Sequence, residues 1–175
     1  MIQIRKATLD DAVGIATVHV ASWRETYRGI VPDEFLNNLS IQRRTEQWTN
    51  SLADPGHTYH RAFVAVMDGQ VVGFSNYGYS VEKDPNYVGE LFALYLLRSA
   101  QGVGIGGGLI RAAADGLREM RVESMMVWVL KDNPTCGFYE HFGGVYLREK
   151  PIEIGGAVLM EIAYGWRELT SFQGT

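Results

Sequence analysis

The glycines of Gln101-Gly102-Val103-Gly104-Ile105-Gly106-Gly107 are the residues whose type and spacing point most directly to chemistry, because they stand between an apolar run and a helical pattern. The first turn of a helix has N–H groups without intrahelical partners and the positive end of the helix dipole, so it attracts phosphate. Glycine there lets the main chain approach an anion and take a positive φ. Gly102, Gly104 and Gly106 therefore read as a backbone cradle for a diphosphate, entered through Gln101. Two kinds of ligand compete for such a cradle. Gly102-x-Gly104-x-x-Gly107 satisfies the dinucleotide fingerprint of a nicotinamide-dependent oxidoreductase. That reading needs an acidic residue about 20 positions on, at the end of the next strand, to hold a ribose. Met126, Val127 and Trp128 occupy that place, and Asp132 comes late.

Other chemistries find little footing. Cys136 is the only cysteine, which excludes an intramolecular disulfide and reads as a packing residue. His19, His57, His60 and His141 form no metal pattern with cysteines or paired carboxylates, so no metal is expected. His57-x-x-His60 beside Asp54 is the nearest approach to one. Hydrolase, NTPase and zinc-protease motifs are absent. A formal net charge of −4 argues against nucleic-acid binding and suits a cationic partner. No apolar run reaches the ~18 residues of a membrane span. The amino terminus alternates like a strand and lacks a signal-peptide pattern, so a cytoplasmic location is the expectation.

The elements that position the glycines follow from periodicity. With no repeat or linker, residues 1 to 175 read as one domain. A strand at 2 to 6 leads to Thr8-Leu9-Asp10-Asp11, a capping-box spacing that opens a helix. Ala12, Ala16, Val20, Trp23, Tyr27 and Ile30 share one face of it, and Gly29 and Pro32 end it. Residues 33 to 54 give two shorter helical pieces broken near Asn37 to Ser40. Runs at 62 to 67 and 71 to 79 flank Asp68-Gly69, a hairpin signal. A strand at 88 to 97 precedes the glycines, and Ile105, Leu109, Ala112, Ala113, Leu117 and Met120 share a face of the helix after them. A buried strand at 124 to 130, a short helix at 133 to 142 and strands at 145 to 149 and 152 to 164 complete the order. The class is α/β, or α+β, with a mixed, mostly antiparallel sheet; the strand-helix-strand passage at 91 to 130 supplies one parallel pair.

At these residues the chain resembles the GNAT superfamily of acyl-CoA N-acyltransferases. That family's cofactor signature is Gln or Arg, two residues, Gly, one residue, and Gly or Ala, and it matches Gln101 to Gly106. "GELFALYL" is similar to the family's fourth strand and "NPTCGFYEHFGG" to its later Asn…Phe-Tyr-Glu…Gly motif, although many members have one more residue between the Asn and the Phe-Tyr pair. "ATLDDAVGIATVHVASWRETYRGIVP" resembles the first-helix region of bacterial members.

The resemblance implies a seven-stranded sheet flanked by helices and splayed between the fourth and fifth strands. Leu94, Tyr95 and Leu96 would hold the pantetheine arm of acetyl-CoA by main-chain bonds. The amides of Gln101, Gly102, Val103, Gly104, Ile105, Gly106 and Gly107 would take the diphosphate. Asn133 would reach the pantetheine, and Tyr139 would lie near the thioester sulfur and protonate the leaving thiolate. Glu90 is the candidate base, acting directly or through water. Trp23, Arg24 and Tyr27 wall the acceptor pocket. The implied activity is direct transfer of an acetyl group from acetyl-CoA to a primary amine of a small molecule or peptide; the rival is a silent acyl-CoA-binding or sensing module of the same fold. The last strands also offer a surface for a homodimer, while the sequence does not fix the oligomeric state.

Overall fold

The computed structural model describes residues 1–54 and 61–171. Thr8 and Asp11 form the turn that their spacing predicts. The Asp11 carboxylate accepts from the Thr8 N–H at 2.8 Å and from both terminal nitrogens of Arg5, at 2.7 and 2.9 Å. This ties β1 (Ile2–Lys6) to a 3-10 turn from which α1 (Ala12–Thr26) continues. Hydrogen bonding from Arg5 holds the buried Asp11 carboxyl below the usual carboxylate range. Tyr27 caps the helix and Gly29 turns the chain at φ 81°, so Ile30 lies beyond α1 instead of on its face. Next come α2 (Asp33–Asn37) and α3 (Ile41–Ala53); the Ser40 hydroxyl caps α3 by accepting from the Arg43 N–H.

β2 (Arg61–Met67) and β3 (Gln70–Tyr79) are joined through Asp68 and Gly69, both at positive φ, as the tight hairpin that Asp-Gly favours. β4 (Gly89–Leu96), α4 (Ile105–Glu119) and β5 (Met125–Leu130) make the strand-helix-strand passage. α5 (Cys136–His141) then leads into a hairpin of β6 (Val145–Ile154) and β7 (Ala157–Trp166). All seven strands form one sheet in the order β1-β2-β3-β4-β5-β7-β6, and only the β4–β5 pair is parallel. A dinucleotide domain needs repeated parallel units, so this sheet removes the oxidoreductase reading.

Two boundaries differ from the sequence expectation. The last hairpin does not break at residues 150 and 151: β6 runs through Pro151 and turns at Gly155 and Gly156, at φ 59° and 81°. β6 is an edge strand, where a proline costs no ladder bond on its open side. α5 is also shorter than 133 to 142, because Asn133 to Thr135 form a turn in front of it.

Helices cover both faces of the sheet. α1 and α3 pack Ile15, Val18 and Trp48 on Val64 and Phe74, while α4 and α5 pack Ile110, Leu117 and Tyr139 on Leu91 and Val127. Each fully buried aliphatic of this kind contributes about 1.5–3 kcal/mol. The sheet is thus held between α1 and α3 on one face and α4 and α5 on the other.

Candidate functional site

β4 pairs with β5 at Gly89↔Met125, Glu90↔Met126 and Leu91↔Val127, and the ladder stops there. The β3–β4 register shifts at the same level: Leu91 faces Tyr77 and Ala93 faces Asn76, so Phe92 is an inserted residue. A bulge bends its strand. Beyond it each strand follows its other neighbour, β4 staying with β3 out to Gly73↔Leu96 and β5 with β7 out to Leu130↔Glu161. The splay between the fourth and fifth strands is therefore present, and it opens a cavity of about 460 Å³. Ser22, Thr26 and Tyr27 line it from one face of the sheet; Gly106, Gly107, Arg111 and Tyr139 line it from the other.

The glycine run forms the mouth of this cavity. Gly102 and Gly104 have φ of 78° and 85°, and a Cβ on either would meet nothing within 4 Å, so conformation and not space demands glycine there. Gly104 caps α4, and the first closed turn is the Gly108 N–H onto the Gly104 carbonyl at 3.1 Å. Among the described residues, the amides of 105 to 107 have no main-chain acceptor, and they sit at the positive end of the α4 dipole. Gln101 lines the cavity, whereas the Val103 side chain is exposed and that of Ile105 is buried in the core. Those two can serve an anion through their main chain alone. Gly107 has a packing reason as well, since a Cβ there would come within 2.8 Å of Phe142.

Tyr139 lies on α5 with its ring against Phe138 and Tyr164. Among the described residues its hydroxyl makes no hydrogen bond, although burial pushes its pKa well up and keeps it protonated. The phenol is thus a donor held in the cavity without a protein acceptor. Asn133 also lines the cavity. Its Oδ1 accepts from the Thr135 N–H at 2.9 Å and the Thr135 hydroxyl at 2.7 Å, and its Nδ2 donates to the Tyr27 hydroxyl at 3.2 Å. Leu94, Tyr95 and Leu96 line the open stretch of β4, and the Leu96 carbonyl already accepts from the Ser22 hydroxyl at 3.0 Å.

Glu90, Trp23 and Arg24 stand further off. Glu90 is buried at the zipped end of β4 and does not line the cavity; its carboxylate accepts from the Ser80 hydroxyl at 2.8 Å and the Val81 N–H at 3.4 Å. Desolvation raises its pKa, with those two donors opposing the shift. Tyr27 lines the cavity, whereas Trp23 packs behind it against Tyr95 and Phe35. Arg24 is a correction: its guanidinium is turned to the carbonyls of Leu36, Asn37 and Leu39, at 2.9 to 3.3 Å, where it closes the end of α2. Those carbonyls need a partner at a helix end, and the arginine supplies it.

Burial raises the Cys136 thiol, which leaves it protonated and unsuited to attack. His19 is wedged between Trp23, Phe74 and Tyr95, and burial pushes its pKa down to about 3. His57 and His60 lie outside the described residues. Among those residues no cluster of three potential metal ligands occurs, and no helix is long and apolar enough to cross a membrane.

Sequence reading missed Arg111, Ser22, Thr26, Phe138 and Phe142, all of which line the cavity. Arg111 had a usable signal. It stands four residues after Gly107, hence on the same helical face as the glycine loop, in a stretch otherwise made of small and apolar residues. The others depend on tertiary approach.

The comparisons agree with this geometry. The acetyltransferase (GNAT) family pattern matches residues 19–144. The N-acetyltransferase YuaI of Bacillus subtilis, itself uncharacterized, is 35% identical over 174 residues, covering 99% of this chain and 97% of its own. In fold, the chain is similar to the PaiA N-acetyltransferase of Thermoplasma acidophilum, solved with coenzyme A, at a TM-score of 0.70 and 21% identity over 93% of this chain and 98% of that one. It is likewise similar to yncA of Salmonella typhimurium, solved with acetyl-CoA, at a TM-score of 0.72 and 16% identity over 97% and 94% of the two chains. Family pattern, full-length relative and splayed sheet coincide on the same residues, and the chain belongs to the GNAT family of acetyltransferases.

Proposed function

We propose that the protein transfers the acetyl group of acetyl-CoA directly to a primary amine of a small molecule or peptide. The observation that carries this is the continuous cavity that runs from the free amides at the start of α4, through the gap between β4 and β5, to the far face of the sheet. The chemistry of its parts fits the donor: an anion cradle at one end, an open strand edge along the middle, and a phenol donor among the lining residues. When bound, acetyl-CoA supplies an activated acyl group on a thiol leaving group.

The protein's own residues then have separable tasks. Amides of residues 105 to 107, pointed along the α4 dipole, hold the diphosphate. The main chain of Leu94, Tyr95 and Leu96 offers hydrogen bonds to an extended amide-bearing arm in place of the missing β5 ladder. Main-chain N–H groups near the bulge stand where a developing oxyanion would be met. Tyr139, protonated and without a protein acceptor, gives its proton to the departing sulfur.

An amine is mostly protonated at neutral pH and must lose a proton before it attacks. Glu90 has the pKa direction of a base, and because it stands outside the cavity it would act through water. The amine arrives from the α1 face, past Tyr27 and Trp128. Glu82, Glu90 and Glu161 lie on this side with Arg148 and Lys150, which are stacked on the Trp128 ring at 5.5 and 4.0 Å.

The test is thermal denaturation with acetyl-CoA or NAD, followed by an acceptor panel with a thiol-release readout. At ~100 times its dissociation constant a ligand adds ~2.7 kcal/mol of stability. Stabilisation by acetyl-CoA alone, with amine-dependent thiol release, is the expected result. Stabilisation without release for any amine would leave a binding module, and stabilisation by neither ligand would end the reading.

A further inference from the structure

Arg111 is the one charged residue among the described residues that line the cavity. It is half-buried, its Nε is shielded from solvent without a hydrogen-bond partner, and no described carboxylate pairs with it. Its guanidinium lies 5.3 Å from the centre of the Phe142 ring, and its terminal nitrogen stands 3.3 Å from where a Cβ on Gly107 would be. Side chains on a helix lean toward its amino end, so a residue one turn past Gly107 places its head beside the free amides of the first turn.

A partly desolvated guanidinium is costly when left unpaired. Three other arginines show how the chain satisfies such a group. Arg5 is bonded to Asp11 through two nitrogens, Arg24 to three carbonyls, and Arg148 to Glu82 and Asp84. Arg111 departs from that pattern at the place where an anion is expected.

We propose that Arg111 contacts a phosphate on the nucleotide half of the acyl donor and sets the affinity for that half, adding a charged contact to the neutral amides of the glycine run. The inference rests on the reading of the cavity as an acetyl-CoA site. A guanidinium is suited to the role because its planar set of donors matches phosphate oxygens. Either the diphosphate or the 3′-phosphate of the ribose would satisfy it, and the two separate by experiment.

The dissociation constants of coenzyme A, 3′-dephospho-coenzyme A and pantetheine are to be measured by calorimetry for the unaltered protein, Arg111→Gln, Arg111→Ala and Arg111→Lys. Losing one charged hydrogen-bonding partner should weaken coenzyme A binding roughly 10- to 100-fold in the Gln and Ala variants, with Lys in between. Pantetheine, which has no phosphate, should bind all four proteins equally and thereby shows that the variants are folded. A loss for coenzyme A alone assigns the 3′-phosphate; an equal loss for the dephospho form assigns the diphosphate. No loss in any variant, or the same loss for pantetheine, overturns the proposal. If the unaltered protein binds none of the three, the reading of the cavity itself falls.

Discussion

Along β4, Gly89 to Leu91 pair with Met125 to Val127, whereas from Ala93 to Leu96 the same strand keeps its β3 ladder and faces the cavity. The two stretches belong to one continuous strand, and hydrophobicity alone does not mark where its pairing with β5 ends. The bulge at Phe92 does, together with the anchors beyond it: the Leu97 N–H reaches the Val72 carbonyl at 2.9 Å, and Ser22 holds the Leu96 carbonyl from α1. One half of the strand therefore serves stability, with its side chains in the core and its main chain paired. The other half has no β5 partner and borders the cavity, a state tolerable only where solvent or a ligand can satisfy its main-chain groups.

Substitutions on the two sides of the bulge should then separate turnover from stability. The largest effect is expected for Tyr139→Phe, which removes the phenol donor while leaving the ring. Its turnover number should fall about 10²- to 10⁴-fold. Its unfolding free energy should stay within about 0.5 kcal/mol of the parent, because the hydroxyl has no described protein partner to lose. A stability loss comparable to the loss of rate would instead make Tyr139 a structural residue.

In the zipped half, Leu91→Ala should cost about 2–5 kcal/mol of stability by emptying a fully buried site. Acetyl-CoA affinity of the folded protein should stay unchanged. Gly104→Val is the converse. A branched residue at φ 85° is strained, so the loop should leave its present conformation and coenzyme A binding should weaken by roughly tenfold or more for each charged hydrogen bond lost. Calorimetry and denaturant unfolding on the pair would show whether the bulge divides the strand as described.

The smallest effect is one of pH. Glu90 has a folded pKa above its unfolded one, so folded protein holds its proton more tightly, and stability falls as pH rises from the unfolded pKa through the folded one. Glu90→Gln should abolish that fall. If Glu90 is the base, the same change removes the acidic limb of the rate profile, which in the parent lies above the ordinary glutamate range; an unchanged limb would assign the proton to another acceptor.

The sequence was most informative where residue identity dictates backbone geometry. Asp68-Gly69, Gly102 and Gly104 all take the positive φ that marks a turn or a cradle, and no tertiary partner is needed to read them. It was least informative where distant segments meet. Arg24 looks like a pocket residue on the first helix, but the open carbonyls at the end of α2 claim it. Glu90 sits where a strand-start base is expected, yet Ser80 and Val81 fold over it. The last hairpin turns at Gly155 and Gly156 instead of near residue 150, because β6 lies at the sheet edge, where Pro151 costs no ladder bond on the open side.

The central claim is that a ligand completes the unpaired half of β4 and the first turn of α4. Amide hydrogen exchange with and without acetyl-CoA tests it residue by residue. Protection should appear at residues 93 to 96 and 104 to 107, with little change at 89 to 91, which are already paired. Binding that leaves those two segments as exposed as before, or that protects a different part of the sheet, would contradict the account.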